Sequence, residues 1–271
     1  MSNLIQKNNI FNILQFGFKS PQNFKILVEK AVERFFDIKG NLSEKENRDW
    51  IKSNCRDYIE FFKNIDANLW EESLQYTGVF KLKAEGALSK INYNLGGGGI
   101  YPILYFLTKF KKPKYIVETG VAAGFSSQMF LKAIQENGQG MLYSSDLAYF
   151  RLKDPEQYIG FLVENELKKN WKLFTEGDKI NIINIKKEVS SIDIFHYDSD
   201  KSYSGRVFAL KQLGSLFHAG TVIIFDDIQD NSHFHDYVQE KKIKEYYIFK
   251  FENKYVGIIA NLSKLSSTQV H

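Results

Sequence analysis

The sequence predicts an α/β fold built on a mostly parallel sheet with helices on both faces. Its second half alternates short apolar strands with helices, which is the pattern of a parallel sheet covered on both sides. Two final strands are joined by only three residues, 251–253, so we expect a hairpin whose last strand runs antiparallel to its neighbour. The pattern is helical from Ser20 to about Thr77 and lacks a firm period over 78–95, so we expect residues 1–95 to form a helical N-terminal extension before an α/β domain of residues 96–271.

Composition limits the classes of protein to which the chain can belong. Its 271 residues, 44% apolar and 25% charged, are typical of a globular protein, and 15% aromatic residues exclude a disordered one. A net charge of +4 without a dense basic stripe speaks against nucleic acid as a partner. The longest apolar run, 99–107, is too short for a bilayer, and no secretion signal opens the chain. The single Cys55 allows no internal disulfide, so we expect a cytoplasmic enzyme without a membrane partner.

Two helices are indicated in the extension. Pro21 opens one whose apolar residues recur at helical spacing, namely Phe24, Leu27, Val28, Ala31 and Phe35. Ser43 stands three residues before Glu46, a capping box that opens the second helix. These helices are expected to form part of an acceptor pocket or a contact in a homo-oligomer. The run Gly96–Gly99 that follows suits either a mobile flap or a linker.

The domain after the glycine run is predicted element by element. Five parallel strands are expected at Tyr115–Glu118, Met141–Ser145, Trp171–Phe174, Ile192–Tyr197 and Thr221–Phe225. Helices are expected at about Ile100–Phe110, Ser126–Glu136, Pro155–Asn170, Ile182–Glu188 and Tyr203–Phe217. The hairpin strands are expected at Glu245–Lys250 and Lys254–Ala260.

A glycine-containing turn follows the first predicted strand. Gly120 and Gly124 allow the main chain to turn tightly and to approach a ligand where a side chain would collide. Ser126 or Ser127 is placed to cap the next helix, whose free N–H groups face the same space. The sequence therefore predicts a ligand-binding turn at this end of the sheet.

The residues around the turn argue against a dinucleotide. The dinucleotide fingerprint is G-x-G-x-x-G, whereas this turn has G-x-x-x-G with Ala122 in the middle. Glu118 would lie badly beside a pyrophosphate and suits a cationic or amino-bearing ligand. Asp146, at the tip of the second strand, is placed to accept both hydroxyls of a ribose. Asp178, after the third strand, is placed near an adenine edge, although both aspartates also suit ordinary turns.

Residues 117–124 and 144–146 resemble the first and second motifs of class I S-adenosylmethionine-dependent methyltransferases, over a region of roughly 96–260. The resemblance implies a Rossmann-like seven-stranded sheet in the order 3-2-1-4-5-7-6 with the last strand antiparallel. It also implies S-adenosylmethionine as cofactor. The residues implied or predicted to line the cofactor site are Glu118, Gly120, Ala122, Gly124, Ser126, Asp146, Asp178 and Asp198.

Three aspartates follow the fourth and fifth predicted strands, namely Asp198, Asp226 and Asp227. In a sheet ordered 3-2-1-4-5, strands 1, 4 and 5 open into one cleft, so these side chains are expected to converge beside the glycine turn. Carboxylates so close together repel, and one would be protonated unless a cation joined them. Oxygen ligands without cysteine select a hard divalent ion, with Mg²⁺ as the first candidate.

The same residues resemble motifs of metal-dependent O-methyltransferases. Residues 198–201, Asp-Ser-Asp-Lys, and the pair Asp226-Asp227 are similar to the catechol and caffeoyl-coenzyme A type. The stretch 171–234, in which Tyr203 follows the aspartate-rich turn, is similar to the macrocin type. The resemblance implies that Asp198, Asp226 and Asp227 bind the metal, and that Lys201 with Asp198 acts in catalysis. It implies Mg²⁺-assisted methylation of a hydroxylated small molecule such as a sugar, a phenol or a natural product.

Several alternatives stay open at the level of sequence. Lys201 also suits a surface turn, and Asp227 also suits a helix N-cap. His196 is interpreted as a histidine of the core or beside the site. His233 or His235, in the loop expected after the aspartate pair, is an alternative base for a metal-independent methyltransferase. A third hypothesis is a non-catalytic cofactor-binding partner in a biosynthetic complex.

Overall fold

The fold is built on one eight-stranded sheet. The computed structural model describes residues 2–21, 23–28, 40–91, 95, 99–147, 149–150, 152 and 154–262. The helices are α1 (Ser2–Lys19), α2 (Glu44–Asn54), α3 (Tyr58–Ile65), α4 (Ala67–Leu88), α5 (Tyr101–Lys111), α6 (Phe125–Asn137), α7 (Asp178–Glu188), α8 (Tyr203–Leu213) and α9 (His233–Glu240). The strands are β1 (Cys55–Arg56), β2 (Tyr115–Thr119), β3 (Met141–Ser145), β4 (Trp171–Phe174), β5 (Ile192–Tyr197), β6 (Phe217–Phe225), β7 (Tyr246–Phe251) and β8 (Lys254–Ile259).

The sheet has the predicted topology with one strand more. Its order is β1-β7-β8-β6-β5-β2-β3-β4, and β8 is antiparallel to both β6 and β7 while the other neighbouring pairs are parallel. Strands β2 to β8 thus follow the order 3-2-1-4-5-7-6, which confirms the predicted fold. The unpredicted strand is β1, which pairs with the edge of β7. Two residues between helices show no periodicity, so the sequence gives no signal for it.

The parallel strands end at one level. Thr119 pairs with Ser145 on one side and Tyr197 on the other, and Tyr197 pairs with Phe225. Main-chain hydrogen bonds continue this register beyond the strands, with Gly120 N–H on Ser145 O at 2.8 Å and Asp226 N–H on Tyr197 O at 3.0 Å. The residues that follow the strands therefore emerge side by side at one edge of the sheet, where the site is built.

Helices cover both faces. On one face the core includes Phe62 and Trp70 from α3 and α4, together with Phe106 of α5 and Phe130 of α6. On the other, α7, α8 and α9 pack on the sheet with Ile51 of α2. The capping box of Ser43 and Glu46 is present as predicted and opens α2. Helices of the N-terminal extension thus contribute to the same cores as the strands.

Some predicted elements are wrong. Instead of a helix over 155–170 there are two 3₁₀ turns, Pro155–Tyr158 and Asn165–Asn170. Between them Gly160 has a φ of 63° and lies so close to Trp171 that a Cβ would sit 2.2 Å from the ring, which ends any helix. Residues 233–240 form α9 where a loop was expected, and α4 continues to Leu88 through a stretch without a clear period.

Other expectations have no outcome. The glycines at 96–98 and the helical positions at 31 and 35 lie outside the described residues. Among the described residues, every helix lacks the length or the apolar character that a bilayer crossing requires.

Candidate functional site

The glycine turn after β2 packs against protein rather than against open space. Gly120 has a φ of 83°, and a Cβ on it would lie 2.3 Å from the carbonyl oxygen of Asp198. Gly124 has a φ of 101°, and a Cβ there would lie 2.9 Å from Cα of Gly160. Both positions need glycine, but what approaches them is main chain of this protein and not the ligand that the sequence led us to expect. Gly120 thereby fixes the turn against the loop that carries Asp198.

Asp146 holds the middle of this turn. Its Oδ2 accepts the main-chain N–H groups of Val121 at 3.1 Å and Ala122 at 2.7 Å, and its Oδ1 accepts that of Leu147 at 2.6 Å. Ala122 has a left-handed φ of 51°, a conformation that costs a non-glycine residue about 1–2 kcal/mol. The two hydrogen bonds to Asp146 stabilise Ala122 in that conformation.

The hydrogen bonds of Asp146 limit what it can hold. A carboxylate has about four acceptor positions, and the three N–H groups occupy three of them. The structure therefore leaves Asp146 about one acceptor position, enough for a single ribose hydroxyl and not for both. Burial, followed by repulsion from Asp178, raises its pKa to about 6 although the N–H groups act in the opposite direction.

A cleft of about 1130 Å³ opens beside Asp146 at the ends of β3, β4 and β5. Asp178 and Ser199 line it, and the N-terminal extension covers it through Pro21, Lys25 and Ile26. Asp178 begins α7 and accepts the hydroxyls of Ser145, at 2.6 Å, and of Ser199. Asp146 and Asp178 thus lie together on one acidic wall, as the sequence predicts.

Glu118 and Ser126 lie elsewhere than expected. Glu118 is fully buried, and its carboxylate accepts the hydroxyls of Ser126, Ser127 and Ser144. Ser126 therefore does not cap α6, whose N-cap is Gly124 without a side-chain hydrogen bond. With both oxygens of Glu118 bound inside the protein, the structure does not place this carboxylate on the cleft.

The three predicted metal ligands come together. One carboxylate oxygen from each of Asp198, Asp226 and Asp227 lies within 4.8 Å of the other two. Asp198 and Asp226 lie close together because Tyr197 and Phe225, the last residues of the neighbouring strands β5 and β6, are paired with each other. Asp227 has a φ of 52°, and this left-handed turn brings a second carboxylate of the same loop into the cluster.

Two lysines neutralise much of this charge. Lys201 pairs closely with Asp198, and its Nζ lies 2.9 Å from Oδ2 of Asp227. Lys254, at the start of β8, lies 3.1 Å from Oδ2 of Asp226 and 3.4 Å from Oδ2 of Asp227. Lys254 is not among the residues predicted from the sequence. The feature of the sequence that could have indicated it is the antiparallel hairpin, because it brings Lys254 at the start of β8 beside the end of β6.

The cluster shifts the pKa values of its members in different directions. Burial and then the Asp198 charge raise the pKa of Asp226 to about 7. Burial alone would also raise that of Asp227, but attraction to Lys201 and Lys254 outweighs it and the pKa is lowered. Burial would lower the pKa of Lys201, but the three carboxylates outweigh it and raise the value. Lys201 is therefore a protonated ion-pair partner here and not a free base.

The residues of the cluster fit a hard divalent cation. Three carboxylates supply oxygen ligands, and Oδ1 of Asp226 is buried without a hydrogen-bond partner in the described part of the chain. Such an unsatisfied buried carboxylate oxygen is costly unless a cation binds it. Asp198, Asp226 and Asp227 are thus able to hold Mg²⁺, with Lys201 and Lys254 as competing cations.

The histidines pack away from the cluster. His196 is fully buried, 5.7 Å from the Phe130 ring and 3.9 Å from a Glu118 oxygen, which agrees with its interpretation as a core residue. His233 is buried in α9, and burial lowers its pKa to about 3, so it is neutral. His235 Nδ1 lies 2.9 Å from Asp236. The His233 ring packs on Tyr203 of α8 and on Phe225 at the end of β6, and His235 packs on Trp50 of α2.

The chain is similar to a known protein family in sequence and to known proteins in structure. Residues 117–228, which hold the glycine turn, Asp146 and the acidic cluster, match a family model described as a methyltransferase domain. No curated protein sequence matches the chain significantly. The crystal structure of the O-methyltransferase TomG from Streptomyces achromogenes, involved in tomaymycin synthesis and in complex with SAM, is similar with a TM-score of 0.50 and 13% identity, over 67% of this chain and 89% of that one.

A putative O-methyltransferase from Klebsiella pneumoniae has a TM-score of 0.47 and 11% identity, over 71% of this chain and 90% of that one. The O-methyltransferase from Bacillus cereus in complex with SAH has a TM-score of 0.47 and 14% identity, over 78% of this chain and 99% of that one. The match to TomG, at 13% identity, concerns the fold alone, and the other two structures lie below a TM-score of 0.5.

Proposed function

From the premise that the chain carries a class I, S-adenosylmethionine-dependent methyltransferase domain, as predicted, we propose that it methylates a hydroxyl group of a small molecule with the assistance of Mg²⁺. One observation carries the proposal. The three clustered carboxylates lie directly beside the glycine turn, because the main chain of Asp198 packs on Gly120. A methyl donor in the acidic cleft and a hydroxyl at the cluster would therefore be neighbours, which supplies much of the rate of such a transfer.

The donor side is assigned to the cleft between β3, β4 and β5. S-adenosylmethionine, when bound, supplies a positively charged methyl donor. Asp146 is proposed to hold one ribose hydroxyl through its remaining acceptor position, and Asp178 lies beyond it on the same wall. Both carboxylates favour a ligand with hydroxyl, amino or cationic groups over one with phosphates.

The acceptor side is assigned to the acidic cluster. We propose that Asp198, Asp226 and Asp227 hold a divalent cation. When bound, such a cation would lower the pKa of the acceptor's hydroxyl group toward neutrality. Lys201 is proposed to take up and release the acceptor's proton. Because the three carboxylates keep its ammonium group protonated, that role depends on their neutralisation by another cation.

The donor assignment is tested with a matched pair of aspartates. Both Asp146 and Asp193 accept main-chain N–H groups, Asp146 three of them and Asp193 two, but those of Asp193 come from Lys114 and Tyr115 at the opposite ends of the strands. We expect Asp146→Ala to abolish S-adenosylmethionine binding in isothermal titration, while Asp193→Ala binds like the wild type. Equal binding by both variants would remove Asp146 from the donor site.

The reaction is tested by incubation of the protein with ¹³C-methyl-labelled S-adenosylmethionine and pools of sugars, phenols and natural products. TomG is an O-methyltransferase, which is a reason to begin with hydroxylated acceptors. We expect the label in a methyl ether, lost with EDTA and restored by Mg²⁺. Asp226→Asn should lose this activity, whereas Asp230→Asn, in the exposed loop nearby, should retain it. A product labelled on nitrogen, carbon or sulfur would contradict O-methylation.

A second candidate is methyl transfer without metal, and the two lysines favour it. Lys201 and Lys254 already neutralise two of the three carboxylate charges, as a divalent cation would. Full turnover in EDTA, together with loss of activity in Lys254→Met, would support this alternative. Binding of the donor without product from any acceptor would instead support the non-catalytic cofactor-binding partner.

A further inference from the structure

Arg206 binds the main chain that carries the aspartate pair. It lies in the first turn of α8 with its side chain fully buried. Its Nη2 donates to the carbonyl oxygens of Asp226 at 3.0 Å and Asp227 at 2.9 Å, and its Nη1 donates to Oδ1 of Asn231 at 3.5 Å. The guanidinium therefore contacts the acidic loop from the side opposite to its carboxylates.

Packing alone does not explain this arginine. Burial lowers the pKa of Arg206, and its Nε has no hydrogen-bond partner among the described residues. The removal of a charge from water costs several kcal/mol unless partners compensate for it, and an apolar side chain would fill the same space without that cost. The hydrogen bonds to the two carbonyl groups are what an apolar side chain could not supply.

Those hydrogen bonds require the turn at Asp227. Successive carbonyl groups of an extended strand point in opposite directions, so a single nitrogen reaches two of them only where the strand bends. The left-handed φ of 52° at Asp227 makes this bend, a conformation that is unfavourable for a residue with a side chain. Arg206 thus stabilises the conformation that brings the carboxylates of Asp226 and Asp227 together.

Asn231 connects this arrangement to the loop after β5. Its Nδ2 donates to the carbonyl oxygen of Lys201 at 2.7 Å. Asn47 of α2 in turn donates to the carbonyl oxygens of Asn231, at 3.0 Å, and Ile228, at 3.2 Å. Both loops that carry cluster residues are therefore tied to a buried scaffold in which Arg206 provides the charge.

We propose that Arg206 is a positioning residue, which holds the main chain of Asp226 and Asp227 so that their carboxylates converge with that of Asp198 on a divalent cation. The proposal rests on the metal site proposed above. Residues that orient metal ligands change metal affinity by about 10- to 100-fold when they are replaced. Arg206 does not itself line the cleft beside Asp146, although Ser204 and Gly205 before it do, so its replacement should weaken metal binding more than donor binding.

The test compares two arginines in the full chain after treatment with EDTA. Arg206→Met removes the buried guanidinium, and Arg48→Met makes the same change on α2, where Arg48 is exposed and lies 3.8 Å from Glu44. Mn²⁺ binding is measured from the electron paramagnetic resonance signal of the free ion, and S-adenosylmethionine binding by calorimetry. We expect Arg206→Met to bind Mn²⁺ about 10- to 100-fold more weakly, and Arg48→Met to match the wild type in both measurements.

Each outcome has a distinct meaning. Wild-type Mn²⁺ affinity in Arg206→Met overturns this inference alone, and equal losses of Mn²⁺ and donor affinity reduce Arg206 to a general structural role. A wild-type protein that binds no Mn²⁺ overturns the metal site and this inference with it. If Arg206→Met fails to fold, Arg206→Lys replaces it, because lysine keeps the charge but its nitrogen ends one bond short of Nη2 and cannot reach Asn231 as well. We expect a folded Arg206→Lys to lose Mn²⁺ affinity, and wild-type affinity would overturn the inference.

Discussion

Replacement of Gly120 by alanine tests the link between the cofactor turn and the acidic cluster. The new Cβ would lie 2.3 Å from the carbonyl oxygen of Asp198, which is 1.1 Å short of the 3.4 Å at which ordinary contact begins. The atoms nearest to the new Cβ are main-chain atoms of Asp198 and Ser199, so the clash cannot be relieved by the movement of a flexible side chain. Either the turn or the loop of Asp198 must move by about 1 Å, a misplacement that can cost about 100-fold in activity.

Gly138 provides the matched control. It too has a left-handed φ, 71°, at the end of α6, but a Cβ on it would meet nothing within 4 Å. Gly138→Ala should therefore show only the cost of the left-handed conformation, about 1–2 kcal/mol in the free energy of unfolding. Gly120→Ala should show that cost and about 1–3 kcal/mol more from the steric clash.

The assay combines urea unfolding with calorimetric titration of S-adenosylmethionine and Mn²⁺. We expect Gly138→Ala to bind both ligands like the wild type, and Gly120→Ala to bind both more weakly. If the two variants lose equal stability and bind both ligands equally well, the close packing of Gly120 on Asp198 has no consequence, and the coupling of the two loops is refuted.

Two further results are expected. Ala122→Gly should raise the free energy of unfolding, measured in urea, by about 0.5 kcal/mol, because it relieves a left-handed φ. Ala123→Gly in the same turn should lower the free energy of unfolding by about 1 kcal/mol. A change of the same sign in both variants would contradict the strain at Ala122. The pKa of Asp226, about 7, lies above that of an unfolded aspartate, so without metal the folded state binds the extra proton and stability should fall as pH rises from about 4 to about 7. Asp226→Asn should lack much of this fall and be more stable than the wild type at pH 8 in EDTA, and a steeper fall in the variant would contradict the pKa shift.

Strand positions and the meeting of the aspartates were predictable from the sequence. A parallel sheet places every strand end at one edge, so residues immediately after strands, such as Asp198 and Asp226, converge whatever the loops do. The same logic brings Asp146 beside the glycine turn. The strand positions follow from the hydrophobic pattern, whereas the order of the strands in the sheet was implied by the resemblance to class I methyltransferases.

What the sequence could not supply is the direction in which individual side chains point. Ser126 fits a helix cap by position, yet it donates to the buried Glu118, because that carboxylate needs hydrogen-bond donors inside the sheet. Lys254 and Arg206 reach the cluster from β8 and α8, at separations that no local motif spans. Such contacts depend on the packed structure, not on the spacing along the chain.

The most direct test of the metal-assisted site is a crystal structure of the protein with Mn²⁺ and S-adenosylhomocysteine, in which anomalous scattering locates the metal. We predict one Mn²⁺ bound by carboxylate oxygens of Asp198, Asp226 and Asp227 at about 2.1–2.2 Å, with the ribose of the nucleoside on Asp146. A structure with the nucleoside in the cleft, but with Lys201 and Lys254 still paired to the three aspartates and no metal between them, would contradict it.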